Sequence, residues 1–125
     1  AVVLKDRGCD FVDVSSGGNL ARHPPVGTTT GPGYQVPFAE AIKKGSGITT
    51  MAVGMIRDPY LAEELLVSGK ADLVALARGV LYDPHWPMHA AEALGTEASY
   101  PQQYLRSRPN MWPKAFPELN MAVAN

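Results

Sequence analysis

Apolar and polar positions along the chain switch between two periods, and the switches outline a strand–helix alternation. Two short apolar runs stand out, Thr49-Thr-Met-Ala-Val-Gly-Met-Ile56 and Ala71-Asp-Leu-Val-Ala-Leu-Ala-Arg-Gly-Val-Leu-Tyr-Asp-Pro84. Each reads as a buried strand ending in glycine-containing sequence, over Thr49–Met55 and Leu73–Ala77. Phe11-Val-Asp-Val-Ser15 is short, β-branched and flanked by glycines, and reads as an earlier strand. Between them the period lengthens. Tyr34–Lys44 carries Phe38, Ala41 and Ile42 as apolar positions, with Pro37 near its first turn and Gly45 as its stop. Tyr60–Ser68, opened by Asp58 as N-cap and Pro59, places Leu61, Leu65 and Leu66 on one face, and Gly69 closes it. Trp86–Leu94 reads as a further helix, and Ala1–Gly8 as the last two turns of one ending at a glycine cap.

Two stretches break the alternation. Ser16–Gly33 is Gly/Pro/Thr-rich and far longer than the usual connection inside α/β units, which marks it as a functional loop on a rigid scaffold. After Gly95 the tail is rich in Pro and aromatic residues without a clear period, and is expected to be mostly irregular. Apolar strands alternating with helices imply an α/β fold with parallel strands and right-handed crossovers. An open doubly wound sheet and part of a (β/α)8 barrel both satisfy that order. A whole barrel needs about 250 residues, so the barrel reading makes this chain the C-terminal portion of one, roughly its last three-eighths. Residues 1–98 are then the βα units and 99–125 an irregular tail suited to an interface.

At 125 residues the chain has room for one modest core and not for two. A net charge of −1 without a basic cluster argues against nucleic acid or an anionic membrane as partner. No apolar run reaches the length of a membrane span, and no signal peptide is visible. Cys9, the single cysteine, has no internal partner, so a reducing, cytoplasmic location is expected, with Cys9 itself a small buried hydrophobe. The helix-like beginning without an initiator Met reads as a piece of something longer.

Candidate chemistry gathers where the last two strands end. Gly54, Ala77 and Arg78 fall at the carboxyl ends of neighbouring strands, where α/β folds bind ligands and where barrels often hold a phosphate. Backbone N–H groups and one guanidinium suit that anion. Turn glycines at Gly54 and Gly79 beside a surface cation are the bland alternative. Neither a P-loop nor G-x-G-x-x-G is present.

The succession Asp13-Val-Ser-Ser-Gly17, Pro32-Gly-Tyr-Gln-Val36, Ala52-Val-Gly-Met-Ile56, Ala71–Arg78, Asp83-Pro84 and Pro101-Gln-Gln-Tyr-Leu-Arg106 resembles the C-terminal part of the Old Yellow Enzyme family. The bacterial YqjM-like branch of FMN-dependent ene-reductases is the nearest in pattern. The resemblance covers nearly the whole chain in family order and implies a (β/α)8 barrel with these strands as about strands 6–8, FMN as cofactor and NAD(P)H as reductant. It implies an FMN phosphate grip at Gly54 and the Ala77-Arg78 pair, with Ser16 and Gly17 lining the cofactor site. Many members carry Gly-Arg where this chain has Ala77-Arg78, so the local backbone there is the point to check. Arg106, in Gln103-Tyr-Leu-Arg106, matches the branch's tail arginine, which reaches across a dimer interface into the neighbouring active site. An ordinary exposed tail arginine, as Arg108 is read to be, is the alternative.

The resemblance also implies what is missing. The family's substrate-holding histidine pair, or His/Asn pair, its proton-donating tyrosine and its flavin-side arginine belong to earlier barrel strands, and none is assignable here. The isolated chain is therefore expected to be catalytically inert, although its parent would reduce activated C=C bonds of an enone-type substrate. His85 and His89 have two-histidine metal spacing but no third ligand at a helical step, and read as surface residues. His23 reads as a loop residue rimming the cleft, and Ser15 and Ser16 do not form a nucleophile elbow. Trp86 is expected to pack on helices, while Trp112 and Phe116 suit a homo-oligomer interface. The rival readings are another flavin barrel, such as a dihydroorotate-dehydrogenase-like enzyme, and a small non-catalytic α/β ligand-binding or assembly module. Such a module alone would be monodisperse and unfold cooperatively; a barrel remnant would not.

Overall fold

The strand–helix alternation is present in the computed structural model, which describes residues 1–16 and 31–117. The order is α1 (Val2–Asp6), β1 (Phe11–Val14), α2 (Val36–Ser46), β2 (Thr49–Ala52), α3 (Pro59–Val67), β3 (Leu73–Val74), α4 (Arg78–Tyr82) and α5 (Trp86–Ala93). The strands form one parallel sheet in the order β1-β2-β3. This is an α/β architecture, as the periodicity requires. The described residues fall into two compact units, Ala1–Trp86 and Pro87–Asn125.

In the first unit a small-residue core lets helices approach the sheet closely. Val14, Ala39, Ala52, Ile56, Ala62 and Leu65 are all buried, with Leu61, Val74 and Trp86 packed against them. The expected faces hold in part, with Leu65 buried and Ile42 and Leu61 packed on the core, and differ elsewhere. In α2 the core takes Val36 and Ala39, leaving Phe38 half exposed at 51% and Ala41 exposed. In α3 it takes Ala62 and Leu65, while Leu66 turns outward. Side-chain size is the reason. An alanine facing the sheet permits a closer helix–sheet approach than a large side chain, and close packing governs which face turns inward.

Local signals place most helix ends. Asp58 caps α3, its carboxylate accepting the Tyr60 N–H at 3.1 Å. Gly8 follows α1 at φ +87°, donating to Lys5 O, as the glycine cap requires. Gly45 does not stop α2; it lies inside the helix, and Gly47 at φ +62° is the left-handed cap. Lys5 Nζ bridges from α1 to that end, donating to Gly47 O at 2.9 Å and Ser46 O at 3.3 Å, where a cation meets unpaired helix carbonyls.

Asp72 ties the start of β3 to its neighbours. One carboxylate oxygen accepts the Thr50 N–H at 2.9 Å, the other pairs with Lys43 of α2 at 2.8 Å, and the Asp72 N–H donates to Thr50 O. Lys43 first, then the Thr50 N–H, holds this carboxyl below the usual aspartate range. Cys9 is only half-buried rather than a core residue, and its thiol donates to Phe11 O.

The second unit is more ordered than its sequence suggests. Beyond the rest of α5, short 3-10 helices occupy Gln102–Ser107, Pro109–Met111 and Pro113–Ala115. Prolines at or beside their first residues set φ for a tight turn and supply no donor there. Arg108 departs from the exposed role read for it. It is half-buried, pairs with Glu97 at 2.9 Å and lies over the Tyr100 ring at 5.3 Å. Burial first, then the Glu92 carboxylate at 3.1 Å, pushes the Tyr100 phenol up. Trp112 and Phe116 stack edge to face, centroids 5.3 Å apart.

Candidate cofactor-phosphate site

Parallel pairing brings the three strand ends level. Val14 sits opposite Ala52, and Ala52 opposite Val74. The chain therefore leaves the sheet on one side at Ser16, Gly54 and the Leu76–Arg78 segment. Side-by-side carboxyl ends of parallel strands are where α/β proteins form ligand clefts.

A cavity of about 720 Å³ opens there, lined by residues of the first unit only. That volume lies within the roughly 300–1,000 Å³ of small-molecule and cofactor sites. Gly54, Ala77 and Arg78 all line it, with Tyr34 and Gln35 from the approach to α2. Three of the predicted site residues thus share one cavity.

Backbone conformation explains why this lip is glycine. Gly54 has φ +129°, and a Cβ there would lie 3.0 Å from Cδ1 and Cε1 of Tyr34. Its carbonyl accepts the Gly33 N–H at 2.7 Å, fixing the loop before α2 against the end of β2. Met55 follows at φ +56°, a left-handed conformation rare for a side chain of that size. Ala77, at φ −110° and ψ −82°, has a negative φ and so lies outside the left-handed region that favours glycine.

Arg78 is exposed on the cavity wall and pairs with no carboxylate among the described residues. The N–H groups of Ala77, Arg78 and Gly79 likewise meet no acceptor among them. A free guanidinium beside free N–H groups, in a cleft whose lip admits no side chain at Gly54, can hold an oxyanion at close range.

Two participants were not singled out by sequence. Gln35 is buried, and its Oε1 accepts both the Ser16 N–H and the Ser16 hydroxyl, the latter at 3.0 Å. Gln35 thereby joins the end of β1 to the cavity, since Ser16 itself is not among the lining residues. The available signal was its place in Pro32-Gly-Tyr-Gln-Val36, a polar residue entering an apolar helix start. Arg57 also lines the cavity, and its signal was position alone, three residues beyond Gly54.

Gly17 and His23 lie outside the described residues. Arg106 is exposed in the first 3-10 helix of the second unit. His85 and His89 are exposed around the start of α5. Trp86 is half-buried on the first unit's core, its indole N–H donating to Arg57 O at 2.7 Å.

A parallel α/β sheet with a glycine-lipped, arginine-bearing cleft at its carboxyl edge has the arrangement in which α/β proteins bind ligands. Residues 1–97 match the model of the NADH:flavin oxidoreductase / NADH oxidase family, and the chain belongs to that family. It is 48% identical over 103 residues to an NADPH dehydrogenase of Geobacillus thermodenitrificans, covering 82% of this chain and 29% of that protein. An NADPH dehydrogenase of Bacillus pumilus is 47% identical over 107 residues, covering 86% and 30%. One of Listeria innocua is 43% identical over 104 residues, covering 83% and 30%. The chain therefore spans about three-tenths of the length of these relatives. The family identified is the Old Yellow Enzyme group, whose members use FMN with NAD(P)H as reductant.

Proposed function

We propose that this chain supplies the phosphate end of the FMN site in an NAD(P)H-dependent ene-reductase, and forms the C-terminal βα units of its (β/α)8 barrel. One observation carries the reading: Gly54, Ala77 and Arg78 line a single cavity at the carboxyl ends of adjacent parallel strands. The residues present fit a phosphomonoester. Arg78 is a cation with no carboxylate partner among the described residues, and Gly54 leaves the lip open where a Cβ would press on Tyr34.

In that role Arg78 binds phosphate oxygens through its planar fork, and the N–H groups from Ala77 to Gly79 complete the hold. Gln35 keeps Ser16 at the edge of the cleft through its doubly engaged Oε1. Tyr34 closes the wall over Gly54 and excludes water from it. Bound FMN would supply the two-electron chemistry between NAD(P)H and an activated C=C bond. Ser16 and Gly17 are proposed to line the cofactor, and Arg106 to reach a neighbouring active site in a homo-oligomer. The substrate's own polar anchors lie outside this sequence in this reading, as does the proton donor.

The test is flavin selectivity. FMN and riboflavin differ only by the phosphate, so the chain is expected to quench FMN fluorescence at lower concentration than riboflavin. Arg78→Gln should erase most of that difference, about tenfold for a lost charge-assisted contact. Equal affinity for the two flavins in the unaltered chain would sink the assignment.

A further inference from the structure

We propose that Arg57, held against Tyr82, is a second cationic contact for the same phosphate, an accessory half of the anion site opposite Arg78. The inference rests on the FMN-phosphate reading above. Arg57 follows the Gly54–Ile56 turn at the end of β2, and Arg78 opens α4 at the end of β3. Tyr82 lies four residues after Arg78 on α4, so the two side chains leave one face of that helix, one turn apart. The Arg57 guanidinium carbon lies 5.1 Å from the Tyr82 ring centroid. All three residues line the one cavity.

Arg57 is anchored at both ends of its length. Its carbonyl accepts the Trp86 indole N–H at 2.7 Å, and its guanidinium rests on the tyrosine face. A cation–π contact supplies no oxygen acceptor, so the guanidinium N–H groups remain available to an anion. No ion pair among the described residues consumes them. Among the described residues the cavity wall carries one carboxylate, Asp58, which caps α3 through the Tyr60 N–H. Two arginines against one carboxylate leave the cleft with surplus positive charge, which attracts an anion; with Arg78 alone the charges of the lining would cancel.

Titrations of FMN and of riboflavin into the full chain, at low and at high salt, test this. Arg57→Gln is expected to weaken FMN about three- to fivefold, as for a solvent-exposed charge contact, and to leave riboflavin unchanged. The loss should shrink at high salt, where exposed charges are screened. Tyr82→Leu, which keeps both cations but removes the platform, should weaken FMN by a smaller factor. Unchanged FMN affinity in Arg57→Gln, or equal loss of FMN and riboflavin, overturns the proposal. If Arg78→Gln abolishes the FMN preference while Arg57→Gln does not alter it, only the accessory contact fails. If the unaltered chain binds neither flavin, or both equally, the parent reading fails and this one with it.

Discussion

Gly54 shows how one residue can carry a site by lacking a side chain. Its φ of +129° is a conformation side-chain-bearing residues rarely adopt, and its missing Cβ keeps the Tyr34 ring in place. Gly54→Ala is therefore expected to cost about 1–3 kcal/mol, the usual range for a residue forced into a sparse backbone region. Native-state hydrogen exchange of the Gly33 amide, which donates to Gly54 O, measures it. Adding Tyr34→Ala should recover only part of the loss, because the ring clash goes while the dihedral strain stays; full recovery would refute the dihedral argument. Ala77 teaches the converse. Its negative φ does not call for glycine, a point about dihedrals that no residue identity discloses. Arg108 and Gln35 were misjudged or passed over for a related reason. Their partners Glu97 and Ser16 lie 11 and 19 residues away, beyond the range of local pattern.

Elements were legible where the signal is local. Asp58-Pro59 marks the start of α3 because a cap needs only its own first turn, and Gly8 marks the end of α1 likewise. The end of α2 was ambiguous, since Gly45 and Gly47 are both glycines and only the backbone at Gly47 turns left-handed. Strand β3 is brief as a regular strand, yet its hydrogen bonding extends further. Asp72 N–H reaches Thr50 O and Ala75 N–H reaches Ala52 O, on either side of Leu73–Val74. Asp72 thus stabilises the β2–β3 junction, and Asp72→Ala should lower the hydrogen-exchange protection of the Thr50 amide about tenfold. Asp72→Asn, which retains a neutral acceptor, should lose less. The pH dependence follows from the lowered carboxyl. Because its folded pKa lies below the ordinary aspartate value, its contribution is complete above that value and fades as pH falls through the lowered one. Protection at Thr50 that is flat across that acid range would contradict the assignment.

At the scale of the whole molecule, the sheet has two outer strands whose far edges pair with nothing among the described residues. Phe11 and Leu73 on those strands are 46% and 44% exposed. Unpaired edges carrying exposed apolar side chains invite further strands, which is what neighbouring units of a barrel would supply. The chain by itself is expected to associate as its concentration rises, seen by light scattering. With FMN, NADPH and an enone it should show no NADPH oxidation above background, because no residue set for holding a substrate carbonyl is assignable in it. Robust turnover would refute the reading of this chain as a cofactor-anchoring part of a larger catalyst.

The strand–helix alternation, the parallel α/β class, the caps at Gly8 and Asp58 and the family resemblance were determined by sequence, because periodicity, capping and motif order are properties of neighbours along the chain; α4 and the Gly47 cap were not. Only the tertiary structure decided which helix faces turn inward, that Gly54, Ala77 and Arg78 share one cavity, and that Arg57 stands beside them on Tyr82. Those facts depend on strand register and side-chain size across the sheet. Residues 22 apart, such as Thr50 and Asp72, meet only once the strands have paired.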